Sequence, residues 1–209
     1  MNLEWVEKME TAEPGEELPS EKIHRQNIES RIQNFGRTVG TRYSREKIEN
    51  YTGENAENVM RIIGKIPEIY SDGLSFLFIG GRGTGKTLGA YFIGLEAIRQ
   101  GHSVFYRTAK ELRDSILKNG NDGDNAKNTG LLILDEVGKT MGGQKSEWEL
   151  TEIISILDFR YRNMKPTIMI TNLSPEKLPG YIGEDIIDRM NSPEWERVVF
   201  TGKTRRRRK

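Results

Sequence analysis

Residues 80–87 read Gly-Gly-Arg-Gly-Thr-Gly-Lys-Thr, and no other segment of the chain restricts the fold as tightly. The spacing fits G-x-x-x-x-G-K-[ST], with Gly80, Gly85, Lys86 and Thr87 at the fixed positions. An apolar run precedes it (Leu74, Phe76, Leu77, Phe78, Ile79), and a helical pattern follows over residues 88–100. Such a loop works between a strand and a helix N-terminus, where successive N–H groups gather phosphate oxygens and glycines admit close approach. A chance Gly-rich turn would not need those flanks. Gly80, Gly81, Arg82, Gly83, Thr84, Gly85, Lys86, Thr87 and Leu88 are therefore the expected contacts of a nucleoside triphosphate. Lys86 is expected at the β/γ-phosphates and Thr87 at Mg²⁺.

Around this loop, strand-like and helix-like segments alternate. Strands are expected at residues 74–79, 103–107, 131–135, 167–171 and 197–201. Helices are expected at 21–35, 55–70, 88–100, 109–118 and 146–161, with short ones at 174–178 and 184–190. Residues 34–43 read as a loop-like connection and 121–130 as a polar surface loop. Helix-length segments between strands imply parallel crossovers, hence an α/β fold with a five-stranded parallel sheet covered on both faces.

Two further strand ends carry chemistry. Leu131-Leu-Ile-Leu-Asp135-Glu136 is an apolar strand ending in carboxylates, which places Asp135 at the C-terminal sheet edge beside the phosphate loop. Asp135 is expected to hold Mg²⁺ opposite Thr87. Glu136, read as lying just outside the strand, is expected to polarise an attacking water; its alternative is an exposed strand-end acid. In Thr167-Ile-Met-Ile-Thr-Asn172, the terminal amide either orients that water and senses the γ-phosphate or is a turn residue leading into Ser174-Pro175.

Composition sets limits. A chain of 209 residues suits one α/β domain with a short appendage. No apolar stretch approaches the ~20 residues of a membrane span and no secretory pattern begins the chain, so the cytoplasm is the default compartment. The absence of cysteine excludes a disulfide framework and a thiolate zinc site, and His24 and His102 lack ligand spacing. A net charge of +1 hides a separation of charge. Glu4, Glu7, Glu10, Glu13, Glu16 and Glu17 face a lone Lys8 at the start, and residues 203–209 read Lys-Thr-Arg-Arg-Arg-Arg-Lys. Such ends are interaction tails or solvated termini rather than fold determinants.

Together the three motifs resemble the AAA+ ATPases. The filling between them, Leu-Ile-Leu-Asp-Glu-Val-Gly (132–138), Lys-Pro-Thr-Ile-Met-Ile-Thr-Asn-Leu (165–173) and Gly-Glu-Asp-Ile-Ile-Asp-Arg-Met (183–190), is similar to the DnaC-type replicative helicase loaders and the related IstB transposition ATPases. Val-Gly-Thr-Arg-Tyr-Ser (39–44) resembles the signature that precedes the nucleotide site in these loaders. The resemblance spans about residues 36–206. It implies a P-loop AAA+ core at 36–209 with a basic tail and no C-terminal helical lid. The resemblance further implies that residues 1–35 are a short helical N-terminal arm directed at the helicase, a compact version similar to those that phages encode.

Carried over by position, the resemblance makes Asn172 the first sensor and Arg189 an arginine finger reaching a neighbouring subunit's ATP. The alternative for Arg189 is an ion pair with Asp185, one turn earlier. Arg206 becomes the second sensor, although Arg205 stands where the loaders carry tyrosine. The segment after the acid pair contacts single-stranded DNA in this family, which nominates Lys139, Lys145 and Trp148. Trp148 either stacks on a base or packs on the sheet with Leu150, Ile153, Ile154 and Leu157. The function implied is an Mg²⁺-dependent ATPase that binds a hexameric replicative helicase and places it on single-stranded DNA. An IstB-like target-selecting ATPase is the alternative. A small-molecule phosphotransferase also owns a P-loop, but Glu136 beside the metal carboxylate and the lack of an Arg-rich lid segment argue against it.

Overall fold

The computed structural model describes residues 18–139 and 147–202, with residues 147–150 described by backbone alone. The expected Arg206, Arg205 and Lys145, the side chain of Trp148, residues 1–17 and the tail at 203–209 lie outside the described residues.

Helix α1 (Pro19–Val39) starts where Pro19 fills a first-turn position that needs no N–H donor, and the Leu18 N–H donates to Glu21 Oε2 at 3.0 Å. It runs through the expected loop at 34–43 and across the 35/36 boundary, and a further helical turn, α2 (Thr41–Ser44), follows. Gly36, inside the segment expected as a loop, serves packing: a Cβ there would sit 3.0 Å from Ser44 Cβ. Phe35, Gly36 and Val39 are buried, and the Phe35 ring stacks on Tyr91 at 5.5 Å. The last turns of α1 thus belong to the core.

A 3₁₀ turn (Ile48–Asn50) leads to α3 (Glu54–Ile63) and α4 (Ile66–Asp72), where one helix over 55–70 was expected. Pro67 explains the break, since its ring and missing N–H forbid continuation and it restarts the chain in the first turn of α4. Then come β1 (Ser75–Gly80), α5 (Lys86–Arg99), β2 (Val104–Thr108), α6 (Ala109–Leu117), α7 (Asp122–Asn128) and β3 (Leu131–Val137). The chain continues with α8 (Glu147–Arg162), β4 (Thr167–Thr171), α9 (Pro179–Ile182), α10 (Glu184–Arg189) and β5 (Trp195–Phe200). Helix α7 replaces the expected loop at 121–130. The short helix expected at 174–178 is a turn, with α9 following it.

The five strands are all parallel, in the order β2-β3-β4-β1-β5. Successive side chains alternate between faces, so Phe76, Phe78, Ile133, Ile168 and Ile170 meet α5, α1 and α3 in one buried cluster. Leu77, Ile79, Leu132, Leu134 and Met169 meet α6, α8, α9 and α10 in the other. Burial on both faces is why these strands read as unbroken apolar runs. Strand β4 lies between β1 and β3, so the phosphate loop and the acid pair are one strand apart with Asn172 at the edge between them.

Arg160 ties the second layer together. Its side chain is 1 % exposed, and the guanidinium donates to the carbonyls of Ala126 (2.8 Å), Lys127 (3.3 Å), Thr129 (3.0 Å), Gly130 (2.9 Å) and Pro166 and to Thr167 Oγ1 (2.9 Å). Several of these are the unpaired carbonyls at the C-terminal end of α7, which a forked cation satisfies. Burial pushes its pKa down to about 9, still above neutrality, so the group remains a cation.

Candidate nucleotide site

The loop at 81–85 leaves β1 and enters α5 under tight steric control. A Cβ at Gly80 would lie 2.2 Å from the Phe200 carbonyl oxygen, so only glycine lets β5 pass this close. Gly85, the residue before α5, is left-handed at φ 102° and turns the first N–H groups of the helix toward the loop. Thr84 Oγ1 donates to the Gly81 carbonyl at 3.0 Å. Two upstream residues, not singled out from sequence, brace the loop from outside. Tyr51 Oη donates to the Gly85 carbonyl at 3.1 Å. Asn55 Nδ2 donates to the carbonyls of Thr84 (3.1 Å) and Thr201 (2.9 Å).

Lys86 is 6 % exposed and its ammonium donates to the carbonyls of Gly80 (2.7 Å) and Gly81 (2.8 Å) and to Asn172 Oδ1 (2.9 Å). Thr87 Oγ1 donates to Asp135 Oδ2 at 2.7 Å, and Tyr106 Oη donates to the same oxygen at 3.0 Å. The Glu136 N–H donates to Asp135 Oδ1 at 2.6 Å. Burial pushes the Asp135 carboxyl above the usual carboxylate range, and these three donors oppose the rise. Burial, with Asp135 beside it, also pushes the Tyr106 phenol up, which keeps it a donor. Tyr106 carries no motif; the signal was a phenol on the strand paired with the acid strand, where Tyr106 is in register with Ile133 and Thr108, two residues on, with Asp135.

Glu136 lies inside β3 rather than beyond it, at a register shift between Leu134 and Val137 where the backbone is left-handed (φ 56°). The irregularity re-aims the side chain, which pairs with Lys139 Nζ at 2.6 Å. Arg82, Gly83, Gly85, Lys86, Thr87, Leu88, Asp135, Glu136, Lys139 and Asn172 line one cavity of about 390 Å³. Residues 42–51 supply its other wall through Arg42, Tyr43, Glu46, Lys47, Asn50 and Tyr51. Arg189 lies elsewhere. It pairs with Asp158 of α8 instead of Asp185, and its guanidinium sits 5.6 Å from the centre of the Tyr161 ring.

Among the described residues, no helix is long and apolar enough to cross a membrane. The family model of the IstB-like ATP binding protein matches residues 70–190, more than half of the chain. The replicative helicase loader DnaC of Buchnera aphidicola (subsp. Baizongia pistaciae) is 32% identical over 187 residues, covering 83% of this chain and 75% of the relative. The chain belongs to the DnaC-type AAA+ ATPases of the IstB-like ATP-binding family. The replicative helicase loader DnaC of Escherichia coli K12 is 29% identical over 197 residues, 88% of this chain and 79% of that one. A crystal structure of the DnaC helicase loader superposes with a TM-score of 0.64, covering 77% of this chain and 99% of the other. At 22% identity, that likeness speaks for the fold. The DnaC-type sheet, with its loop, acid strand and amide strand, is therefore the frame on which the cavity is built.

Proposed function

We propose that this chain is an ATP-hydrolysing replication factor that engages a hexameric replicative helicase in the cytoplasm and delivers it to single-stranded DNA. One observation carries the reading: Lys86, Thr87, Asp135, Glu136 and Asn172 line one cavity in a chain similar over 83% of its length to a replicative helicase loader.

In this reading the loop N–H groups and Lys86 hold the β/γ-phosphates, and the upstream wall receives the nucleoside. Thr87 Oγ1 and Asp135 Oδ2, 2.7 Å apart, are the hard oxygen donors that Mg²⁺ accepts, so these two residues would hold it. When bound, Mg²⁺ neutralises charge on the phosphate oxygens. Tyr106 keeps Asp135 aimed at Thr87. Asn172, at the strand edge between loop and acid pair, orients the attacking water, and Glu136 takes its proton. The water oxygen bonds to the γ-phosphorus while the bridging bond to ADP breaks with its electron pair. Arg189 supplies a cation to the cavity of a neighbouring copy, because a guanidinium is a permanent forked donor suited to the spreading charge. Lys139, Lys145 and Trp148 contact the DNA strand.

Two measurements test the reading: ATP turnover without an acceptor, with and without a single-stranded oligonucleotide, and capture of the purified replicative helicase by the full chain. Turnover stimulated by single strands, with helicase retained, supports it. Failure to retain the helicase, with equal response to duplex, favours the transposition-type ATPase, the reading to which the IstB-like family match also lends support.

A further inference from the structure

Two carbonyls at the end of the phosphate loop, those of Thr84 and Gly85, accept hydrogen bonds from side chains of the segment before β1. Asn55, in the first turn of α3, lies outside the residues that line the cavity and reaches the loop from behind. Its amide is oriented by backbone: Oδ1 accepts the Thr201 N–H at 3.2 Å, and Nδ2 donates to the Thr201 carbonyl at 2.9 Å. Nδ2 also donates to the Thr84 carbonyl at 3.1 Å. An exchanged amide would set its oxygen against both carbonyls, so this orientation is the one that satisfies every partner. Tyr51 stands in the cavity wall, its ring edge-on to Phe92 with centroids 5.6 Å apart. Its Oη donates at 3.1 Å to the Gly85 carbonyl, which also accepts the Gly89 N–H at 2.8 Å.

These bonds decide where the neighbouring N–H groups point. Every peptide bond among the described residues is trans. In a trans peptide the carbonyl and the next residue's N–H point in opposite directions. A Thr84 carbonyl turned back toward Asn55 sends the Gly85 N–H forward, into the cavity that Gly85 lines. A Gly85 carbonyl held toward α5 and Tyr51 sends the Lys86 N–H out of the helix N-terminus. Gly83 and Gly85 are both left-handed (φ 81° and 102°), and glycine has many other conformations open to it. A loop built this way keeps one shape only when it is fixed from outside.

We propose that Tyr51 and Asn55 are positioning residues that pre-set the Gly85 and Lys86 N–H groups for phosphate oxygens, and so set the affinity for polyphosphate independently of the nucleoside. The inference rests on the nucleotide-binding role given to this loop above and adds two residues to it. Ordering that is complete before the ligand arrives is not charged against binding. Because Asn55 is anchored on Thr201, the cradle is held from the end of β5 as well as from β1.

The test is displacement of a fluorescent ATP analogue by Mg-ATP and by Mg-tripolyphosphate, which lacks the nucleoside. It uses the full chain as wild type, Tyr51→Phe, Asn55→Ala and Lys86→Ala, with melting curves of each nucleotide-free protein. Tyr51→Phe and Asn55→Ala should each weaken both ligands by the same factor, about three- to tenfold, the range open to neutral hydrogen bonds. Each should raise the KM for ATP by more than it lowers kcat. Asn55→Ala also loses the Thr201 contacts and should melt earlier, whereas Tyr51→Phe keeps its ring and should melt close to wild type. If Tyr51→Phe weakens ATP and leaves tripolyphosphate unchanged, its hydroxyl serves the nucleoside and the proposal is overturned. Unchanged affinity for both ligands in both variants, whatever their melting points, overturns it as well. If Lys86→Ala binds ATP as wild type does, the nucleotide reading of the loop fails instead.

Discussion

Lys86 Nζ lies 2.9 Å from Asn172 Oδ1, across 86 residues of chain, and joins the phosphate loop to the end of β4. The same ammonium also donates to the backbone carbonyls of Gly80 and Gly81, where β1 passes into the loop. A phosphate oxygen that draws Lys86 forward therefore competes with Asn172, an acceptor on a separate element. Lys86→Ala should abolish nucleotide binding. Asn172→Ala should bind with little change yet turn over about 10²-fold more slowly, the usual loss for one preorganised polar contact. Fluorescent-nucleotide titration beside turnover separates the two, and Asn172→Ala with normal kcat would remove the sensor role.

Glu136→Gln should retain nucleotide and lose roughly 10²-fold or more in turnover, because the isosteric amide cannot take a proton. The backbone contact from its N–H to Asp135 is unaffected, so the Asp135 carboxylate stays in place. Weakened nucleotide binding in this variant would indicate a structural rather than a chemical role.

Arg189 pairs with Asp158 within its own chain, outside the residues that line its own cavity. Arg189→Ala should bind ATP normally and hydrolyse it poorly. Mixed with Glu136→Gln, it should recover part of the activity, because composite interfaces restore one complete site. No recovery at any ratio, with assembly confirmed by light scattering, assigns Arg189 to the Asp158 and Tyr161 contacts alone.

Asp135 costs stability in exchange for its chemistry. Its folded pKa is raised by burial above the ordinary value of about 3.9, so the native state binds more protons than the unfolded state between the two. Wild-type stability should therefore fall as pH rises through that window. Asp135→Asn removes the ionisation and should gain thermal stability relative to wild type across the same window, about 1.4 kcal/mol per pKa unit of elevation. Nucleotide with Mg²⁺ should no longer stabilise the variant. Parallel melting curves from pH 4 to 8 would refute the burial cost.

Arg160→Met keeps length and loses every donor to five carbonyls and one hydroxyl. Leaving buried carbonyls unpaired should cost about 3–5 kcal/mol, measured by urea unfolding, with little change in nucleotide affinity per folded molecule. A loss below 1 kcal/mol would show that water replaces the guanidinium.

The phosphate loop, the acid strand that carries Asp135 and the amide strand that leads into Asn172 were legible in the sequence, as were the five strands and their parallel sense. Each depends on residue type at short spacing, and short spacing is what a linear pattern preserves. Segments whose structure is imposed from a distance were misread. Helix α7 has a polar, loop-like composition, yet its C-terminal carbonyls are capped by Arg160, more than thirty residues later. Helix α1 continues through Gly36 because the missing Cβ lets Ser44 approach, a benefit that exists only once the two segments meet.

The sequence by itself thus determined that this chain is an α/β nucleotide-binding fold, and it singled out Lys86, Thr87, Asp135, Glu136 and Asn172, which the fold brings to one cavity. Tertiary structure decided the order β2-β3-β4-β1-β5 and the bracing of the loop by Tyr51 and Asn55. It also decided the hold of Tyr106 on Asp135 and the pairing of Arg189 with Asp158. Such contacts join residues tens of positions apart and leave no periodic trace, because they follow from which strand edges meet rather than from which residues neighbour each other along the chain.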